Sequence, residues 1–525
     1  MSYQSASFII FSAVALLLFY LVPKRAQKYM LLIANIFFYC YAGFQYVPFI
    51  SVTLFATYFA GRIMGRIYDK EGDRLKLCQT PAEKKEVRAS GKKKARWVLL
   101  GGLFLSVAFL VVCKYTGFIL TNVNSILLKN GKPEITVFSI ILPLGISYYT
   151  FMAISYVLDI YWKRYKAEKN LLNYALFLTY FPHVVQGPID RYDKIRAQIT
   201  DGVIRFDSVQ VSKGAQLALW GFFKKLVIAD RLGIFVNEIY GNYTNYEGLI
   251  IIIATVFYSV QIYADFSGCI DIVSGVSEMF GIKLAKNFNH PYFSKTMPEF
   301  WRRWHISLGE WFKDYIFYPV SVSKLVKKVK KNSKSKKAGE MFASCFPAFV
   351  VWVITGIWHG ASWGFVNWGM FHAALIISGT VFADLNGKIN SKLGISTETF
   401  SWKLWQMSRT FILCCIGRVF FITNGLSEAF DILKRAFSGL HFEFIVEDAL
   451  YGYGLDKNNI ILALFAIFIL WAVDMLQEKY RLRDELQKQG IIFRWLIILL
   501  GIFAVIIFGT YGPGFEQNSF IYEQF

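Results

Sequence analysis

Apolar runs long enough to cross a bilayer recur along this sequence from its first residues to its last, and they limit the fold more than any other feature. A span needs roughly 20 apolar residues. Trp97–Leu120 reaches that length alone, and Tyr246–Ile262 continues without a break into Tyr263–Phe280. By that rule the chain carries about eleven candidate spans. With 55% hydrophobic residues and a mean hydropathy of +0.40, a water-soluble fold would have nowhere to bury its apolar surface. The expected architecture is an all-α polytopic membrane bundle, a single domain over residues 1–525 with its last spans in 400–525.

The net charge of +21 could point to a nucleic acid, but the basic residues collect in short stretches between apolar runs, not on one soluble face. The positive-inside rule accounts for them. Arg62 to Arg96 is rich in Lys and Arg, and Lys324 to Lys337 holds eight lysines in fourteen positions. Both are expected on the cytoplasmic side, 67–96 as a charged loop with some helix and 324–337 as a second basic loop. The first apolar run, Ser7 to Val22, precedes Pro23-Lys24-Arg25 and has no basic residue before it. That charge order is the reverse of a cleaved signal peptide, so the run reads as a retained span with its N-terminus outside. The seven cysteines show no CxxC or Cys/His spacing and read as buried packing residues.

Between Asn170 and Gly281 the apolar pattern is interrupted by Pro182, Gly187-Pro188, Lys224-Lys225, Asp230-Arg231 and Asp265. Such residues at membrane depth must be shielded by protein or line a cavity. The block 287–319 mixes aromatic and charged residues and suits re-entrant or interfacial helices. Gly360-Ala361-Ser362-Trp363-Gly364 has GxSxG spacing but closes an apolar run too long for the strand of a nucleophile elbow, and a Walker loop and a GxGxxG turn are absent, which argues against serine hydrolases and removes pump ATPases and dinucleotide enzymes.

Six histidines stand at 183, 290, 305, 359, 372 and 441. His359 follows the apolar run Phe349–Ile357 inside Thr355-Gly356-Ile357-Trp358-His359-Gly360-Ala361-Ser362-Trp363-Gly364, where small residues let backbones approach and leave room for a substrate. An imidazole titrates near pH 6.5 in water, and burial favouring its neutral form makes it a general base; the plainer reading is a hydrogen bond between helices. His305 lies in Met297-Pro298-Glu299-Phe300-Trp301-Arg302-Arg303-Trp304-His305-Ile306-Ser307-Leu308, which Thr296 and Glu299 mark as the start of a helix. At helical spacing Trp301, Trp304, His305, Leu308, Trp311 and Phe312 share one face, so this is either an interfacial aromatic helix or a piece of an active site. His372, in the span after His359, supports the site or bonds a neighbouring helix. Asp265 should be paired, protonated or facing water. No two of these histidines are spaced i,i+4, and no carboxylate or cysteine completes a ligand set, so no metal is expected.

Taken together, Gln186-Gly187-Pro188-Ile189 with Arg191, Tyr263-Ala264-Asp265-Phe266-Ser267-Gly268, Asn287-Phe288 with Pro291-Tyr292, Phe300 through Leu308, Asp314-Tyr315 with Pro319, and Gly356 through Trp363 form a long tryptophan-rich series. In this order they resemble the membrane-bound O-acyltransferase family, in its bacterial branch of alginate O-acetylation and teichoic acid D-alanylation proteins. The resemblance implies that His359 is the catalytic histidine and His305 the second site residue. It also implies that Trp301, Arg302, Trp304, Trp358, His372, Asp265 and Tyr315 support a substrate tunnel. The length and the tail Phe520-Ile521-Tyr522-Glu523-Gln524-Phe525 resemble the alginate type, although Glu523 stands where an aromatic is expected.

The activity so implied passes an acyl group, acetyl above all, from a cytoplasmic thioester across the cell membrane for O-acetylation of an extracellular or cell-wall polysaccharide. The donor is acetyl-CoA or an acyl carrier thioester, no cofactor is bound permanently, and a secreted or membrane-anchored acyltransferase partner is expected. D-alanyl transfer to teichoic acid, a polysaccharide or lipid-linked sugar transporter, and a non-catalytic scaffold are the rival readings.

Overall fold

The computed structural model describes residues 1–137, 140–199, 204–439, 449–511 and 520, so His441 and the tail from residue 521 onward lie outside the described residues. The chain divides into two compact units, Met1–Ala215 with Val273–Ala285 and Gln216–Ile272 with Lys286–Phe525. The first contains helices α1 (Ala6–Leu21), α2 (Gln27–Ala42), α3 (Val47–Leu77), α4 (Pro81–Lys129), α5 (Ile146–Tyr161), α6 (Leu171–Thr179) and α7 (Tyr192–Ile199). A unit boundary falls inside α8 (Ser208–Phe222), and another inside α10 (Leu249–Met279).

In the first unit the expected loop at 67–96 is instead mostly helix, because α3 runs on to Leu77 and α4 begins at Pro81. The stretch is polar, but Lys, Glu, Arg and Ala are good helix formers. A capping box starts α4: the Thr80 hydroxyl accepts from Glu83 N at 3.2 Å, and the Glu83 carboxylate accepts from Thr80 N. Glu71, buried on α3, pairs with Lys163 Nζ at 2.7 Å. The Pro182–Arg191 segment is buried without being helical. Its His183 is held through both nitrogens, by Phe177 O at 2.7 Å and Asp190 Oδ2 at 3.1 Å. That histidine is engaged structurally.

The second unit continues with a π-helical turn at Phe223–Ala229, α9 (Asp230–Gly241) and most of α10. The π turn places two successive lysines inside the protein. Lys225 Nζ lies 2.7 Å from Asp265 and 2.8 Å from Asp230, while Lys224 Nζ meets Asp271 at 2.6 Å and Ser267 Oγ at 2.9 Å. Asp265 is therefore paired. Buried charges of this kind are retained only when matched by partners.

After these come α11 (Met297–Arg303), α12 (Ile306–Phe312), a second π turn at Lys313–Phe317, α13 (Tyr318–Ser321), and α14 (Lys324–Asn332). The basic stretch 324–337 thus forms α14 and the start of α15 (Lys336–His359), which is followed by α16 (Trp363–Val381), α17 (Ala383–Lys392) and α18 (Phe400–Ile422). The unit ends with α19 (Leu426–Ala436), α20 (Lys457–Gln477), α21 (Leu482–Gln487) and α22 (Ile491–Phe508).

Each apolar segment expected to span is helical over most of its length. Seven helices among the described residues are long and apolar enough to cross a membrane: the segment 44–77 ending in α3, then α4, α10, α15, α16, α20 and α22. On α22, Ile492 and Ile507 are 84% and 65% exposed. So apolar a surface requires lipid around it. Helices α15 and α16 meet backbone to backbone at Gly356 and Gly369. A Cβ on Gly356 would fall 2.6 Å from Phe365 O, and one on Gly369 2.5 Å from Trp352 O.

Candidate active site

The run from Met297 to Phe312 is not one helix. It breaks at Trp304–His305, where His305 adopts a left-handed backbone (φ 47°, ψ 53°) that costs a non-glycine residue conformational energy. The break is held from a distance by Asn287. Ile306 N donates to Asn287 O at 2.9 Å, Asn289 N donates to Arg303 O at 2.9 Å, and Phe288 bridges Trp304 in antiparallel fashion. Asn287 Oδ1 then receives three donors: Ser307 N at 3.1 Å, Ser307 Oγ at 2.8 Å and His305 Nδ1 at 3.2 Å. A backbone N–H can only donate, so Oδ1 is an acceptor and the His305 hydrogen sits on Nδ1. Neutral His305 then presents Nε2 as an acceptor. The expected face is not that of one continuous helix, because the helix breaks at Trp304–His305, yet Trp301, Trp304, His305, Leu308 and Phe312 all line one cavity.

His359 comes from another direction, the last residue of α15. Counting back along that helix, Thr355, Trp352, Val351 and Ala348 lie on the same face by helical spacing. These five residues line one cavity of about 660 Å³ together with His305, Trp301, Trp304, Arg302, Glu310 and Lys313. Both histidines are 3% exposed, whereas Arg302 and Lys313 are exposed at the cavity's polar side. A space of this size exceeds an acetyl group severalfold and is within the range of small-molecule sites.

The other residues expected at a tunnel fall into two groups. Trp358 is buried outside the lining but in ring contact with both imidazoles, its centroid 6.2 Å from that of His305 and 5.0 Å from that of His359. His372 also stands behind the lining, in an aromatic box: Trp301, Trp368 and Trp352 have ring centroids 4.8, 5.0 and 5.2 Å away. Its Nδ1 is buried without a hydrogen-bond partner among the described residues, as are Trp301 Nε1 and Trp368 Nε1. Asp265 and Tyr315 lie elsewhere. Asp265 belongs to the Lys225 ion cluster, and Tyr315 packs its ring 5.1 Å from Trp311 in the second π turn. Neither lines the cavity.

Sequence reasoning passed over Trp352 and Thr355, although helical spacing back from His359 finds both. It passed over Trp368, whose ring lies 4.8 Å from that of His359. It also missed Arg418 on α18, 2% exposed, with its guanidinium carbon 4.5 Å from the ring centre of Trp304. An arginine inside an apolar helix is itself the signal.

Chemically, the site offers two imidazoles lining one partly open cavity and a buried indole N–H at Trp301. Such an arrangement can move a proton on or off a hydroxyl.

The sequence matches the family model described as MBOAT, membrane-bound O-acyltransferase family, over residues 166–416. It is 30% identical over 424 residues to a probable alginate O-acetylase of Pseudomonas syringae pv. tomato, a match covering 80% of this chain and 72% of that one. A peptidoglycan O-acetyltransferase of Helicobacter pylori is 28% identical over 432 residues, 78% of this chain and 73% of its own. A teichoic acid D-alanyltransferase of Bacillus subtilis is 28% identical over 307 residues, covering 57% and 71%. With both site histidines inside the matched region and apolar helices throughout, the chain belongs to the membrane-bound O-acyltransferase family and is a multi-pass membrane O-acyltransferase.

Proposed function

We propose that this protein transfers an acetyl group from a cytoplasmic thioester, acetyl-CoA or an acyl carrier, for O-acetylation of an extracellular or cell-wall polysaccharide. The observation that carries the reading is the convergence of His305 and His359 on one cavity. The O-acetylating names of the relatives in P. syringae and H. pylori support the choice of acetyl and of a polysaccharide.

In this mechanism a ring nitrogen of His359 takes the proton from an attacking hydroxyl, on the polymer or on a secreted or membrane-anchored partner protein. The oxygen attacks the thioester carbonyl, the tetrahedral intermediate collapses, and the carbon–sulfur bond breaks. The departing thiolate takes the proton back from His359, leaving an O-acyl ester and a free thiol. His305, whose Nδ1–H is committed to Asn287, presents only an acceptor nitrogen while neutral and so cannot donate to the oxyanion. The donor role toward the oxyanion then falls to the Trp301 indole N–H, buried at the cavity without another partner among the described residues.

His359→Ala tests the reading. At matched protein level in the membrane it should abolish polymer acetylation, measured as ester-linked acetate released by mild base. Normal acetate content in that variant would remove the mechanism.

A further inference from the structure

One turn of α18 backs the whole site. Gly417 faces His372 so closely that a Cβ there would lie 2.9 Å from His372 Nε2. Phe421 stacks edge-on against His359 with ring centroids 5.5 Å apart. Between them Arg418 places its guanidinium carbon 4.5 Å from the ring centre of Trp304 and 5.9 Å from that of Phe421. Trp304 lines the cavity and is joined to His305 by a single peptide bond, and Phe421 packs on His359. One buried cation thus touches the ring beside each of the two histidines.

We propose that Arg418 is a positioning residue of the acyl-transfer site, clamping Trp304 and Phe421 by cation–π contact and holding a fixed positive charge behind the reacting carbonyl. The inference rests on the acyl-transfer reading above. Its physical basis is twofold. A planar guanidinium stacks on aromatic faces where a compact ammonium does not match its contact area, so its removal loosens both rings and the imidazoles they steady. A charge buried among aromatic residues is poorly screened, so it favours the negative charge that grows on the carbonyl oxygen in the transition state more than it favours the neutral ground state. Trp304 is the residue that stands between that charge and the cavity. A residue acting this way changes the chemical step and leaves ground-state donor binding nearly untouched.

The test uses the full-length protein in nanodiscs with acetyl-CoA as donor, alongside His359→Ala. Arg418→Met should lower kcat by roughly 30-fold or more while KM for acetyl-CoA stays within about threefold. Arg418→Lys should fall between wild type and Arg418→Met, with a loss of about tenfold. Trp304→Leu combined with Arg418→Met should lose less than the product of the two single losses, because both remove the same contact. Where Arg418→Met fails to accumulate, Arg418→Lys carries the test alone. The proposal is overturned if Arg418→Lys keeps wild-type kcat, if the Met variant raises KM at unchanged kcat, or if the double variant's losses simply multiply. Any of these with His359→Ala inactive leaves acyl transfer standing. An active His359→Ala protein would instead overturn the reading on which the proposal rests.

Discussion

Replacing Asn287 by leucine removes the one oxygen on which three buried donors converge. Ser307 N, Ser307 Oγ and His305 Nδ1 all lie within 3.2 Å of Asn287 Oδ1. A hydrogen bond in a folded protein contributes about 1 kcal/mol net, and a donor left buried without a partner costs about 1–3 kcal/mol. Three such losses come to about 3 kcal/mol at the low end, concentrated on the turn that keeps His305 in its left-handed conformation. At about 1.4 kcal/mol per factor of ten, the competent turn falls roughly 100-fold relative to alternatives in which residues 304–306 relax toward an ordinary helix. Asn287→Leu should therefore reduce acetyl transfer by about two orders of magnitude while the apolar spans still insert. Asn287→Asp, which keeps an acceptor at the same place, should lose far less. The assay is ester-linked acetate per cell at matched membrane protein, with the melting temperature of the purified protein as a check on global folding. Transfer by Asn287→Leu within twofold of wild type would refute the idea that this side chain sets the aim of His305.

Gly417→Ala should force His372 from its aromatic box; overpacking of this kind typically costs about 1–3 kcal/mol, visible as a lower melting temperature and reduced transfer. Lys225→Met leaves Asp230 and Asp265 buried together without their cation and should destabilise the protein by about 3–5 kcal/mol, whereas Asp265→Asn, which spares the Lys225–Asp230 pair, should cost clearly less by the same thermal assay. Gly369→Val puts side-chain carbon 2.5 Å from Trp352 O, so α15 and α16 should separate and the protein should fail to accumulate in the membrane.

The spans were legible because the apolar runs are long and end at polar or glycine residues, so length alone places α10, α15 and α20. The motif around His305 was legible in identity and not in shape. Periodicity reads Trp301 through Phe312 as one amphipathic helix because the apolar spacing supports it, whereas the break is held by Asn287, 18 residues before His305. Long-range pairing of that kind leaves no periodic trace. The 67–96 stretch shows the opposite limit: charge suggests a loop with some helix, while composition and the Thr80–Glu83 cap favour helix over most of it. Asp265 was legible as a charge needing a partner, but its partner Lys225 was visible only as an interruption in an apolar run. Arg418 carried an explicit signal, an arginine between Cys414-Cys415 and Phe420-Phe421, that the tryptophan-rich motifs drew attention away from.

The two imidazoles reach their common space on independently braced pieces of backbone, one at the end of a long helix and the other on a turn tied down by an asparagine. What sets their separation is then how α15 seats on its neighbours, and that seating is fixed where its backbone meets α16 at Gly356 and Gly369. A side chain added at either glycine would move one ring relative to the other.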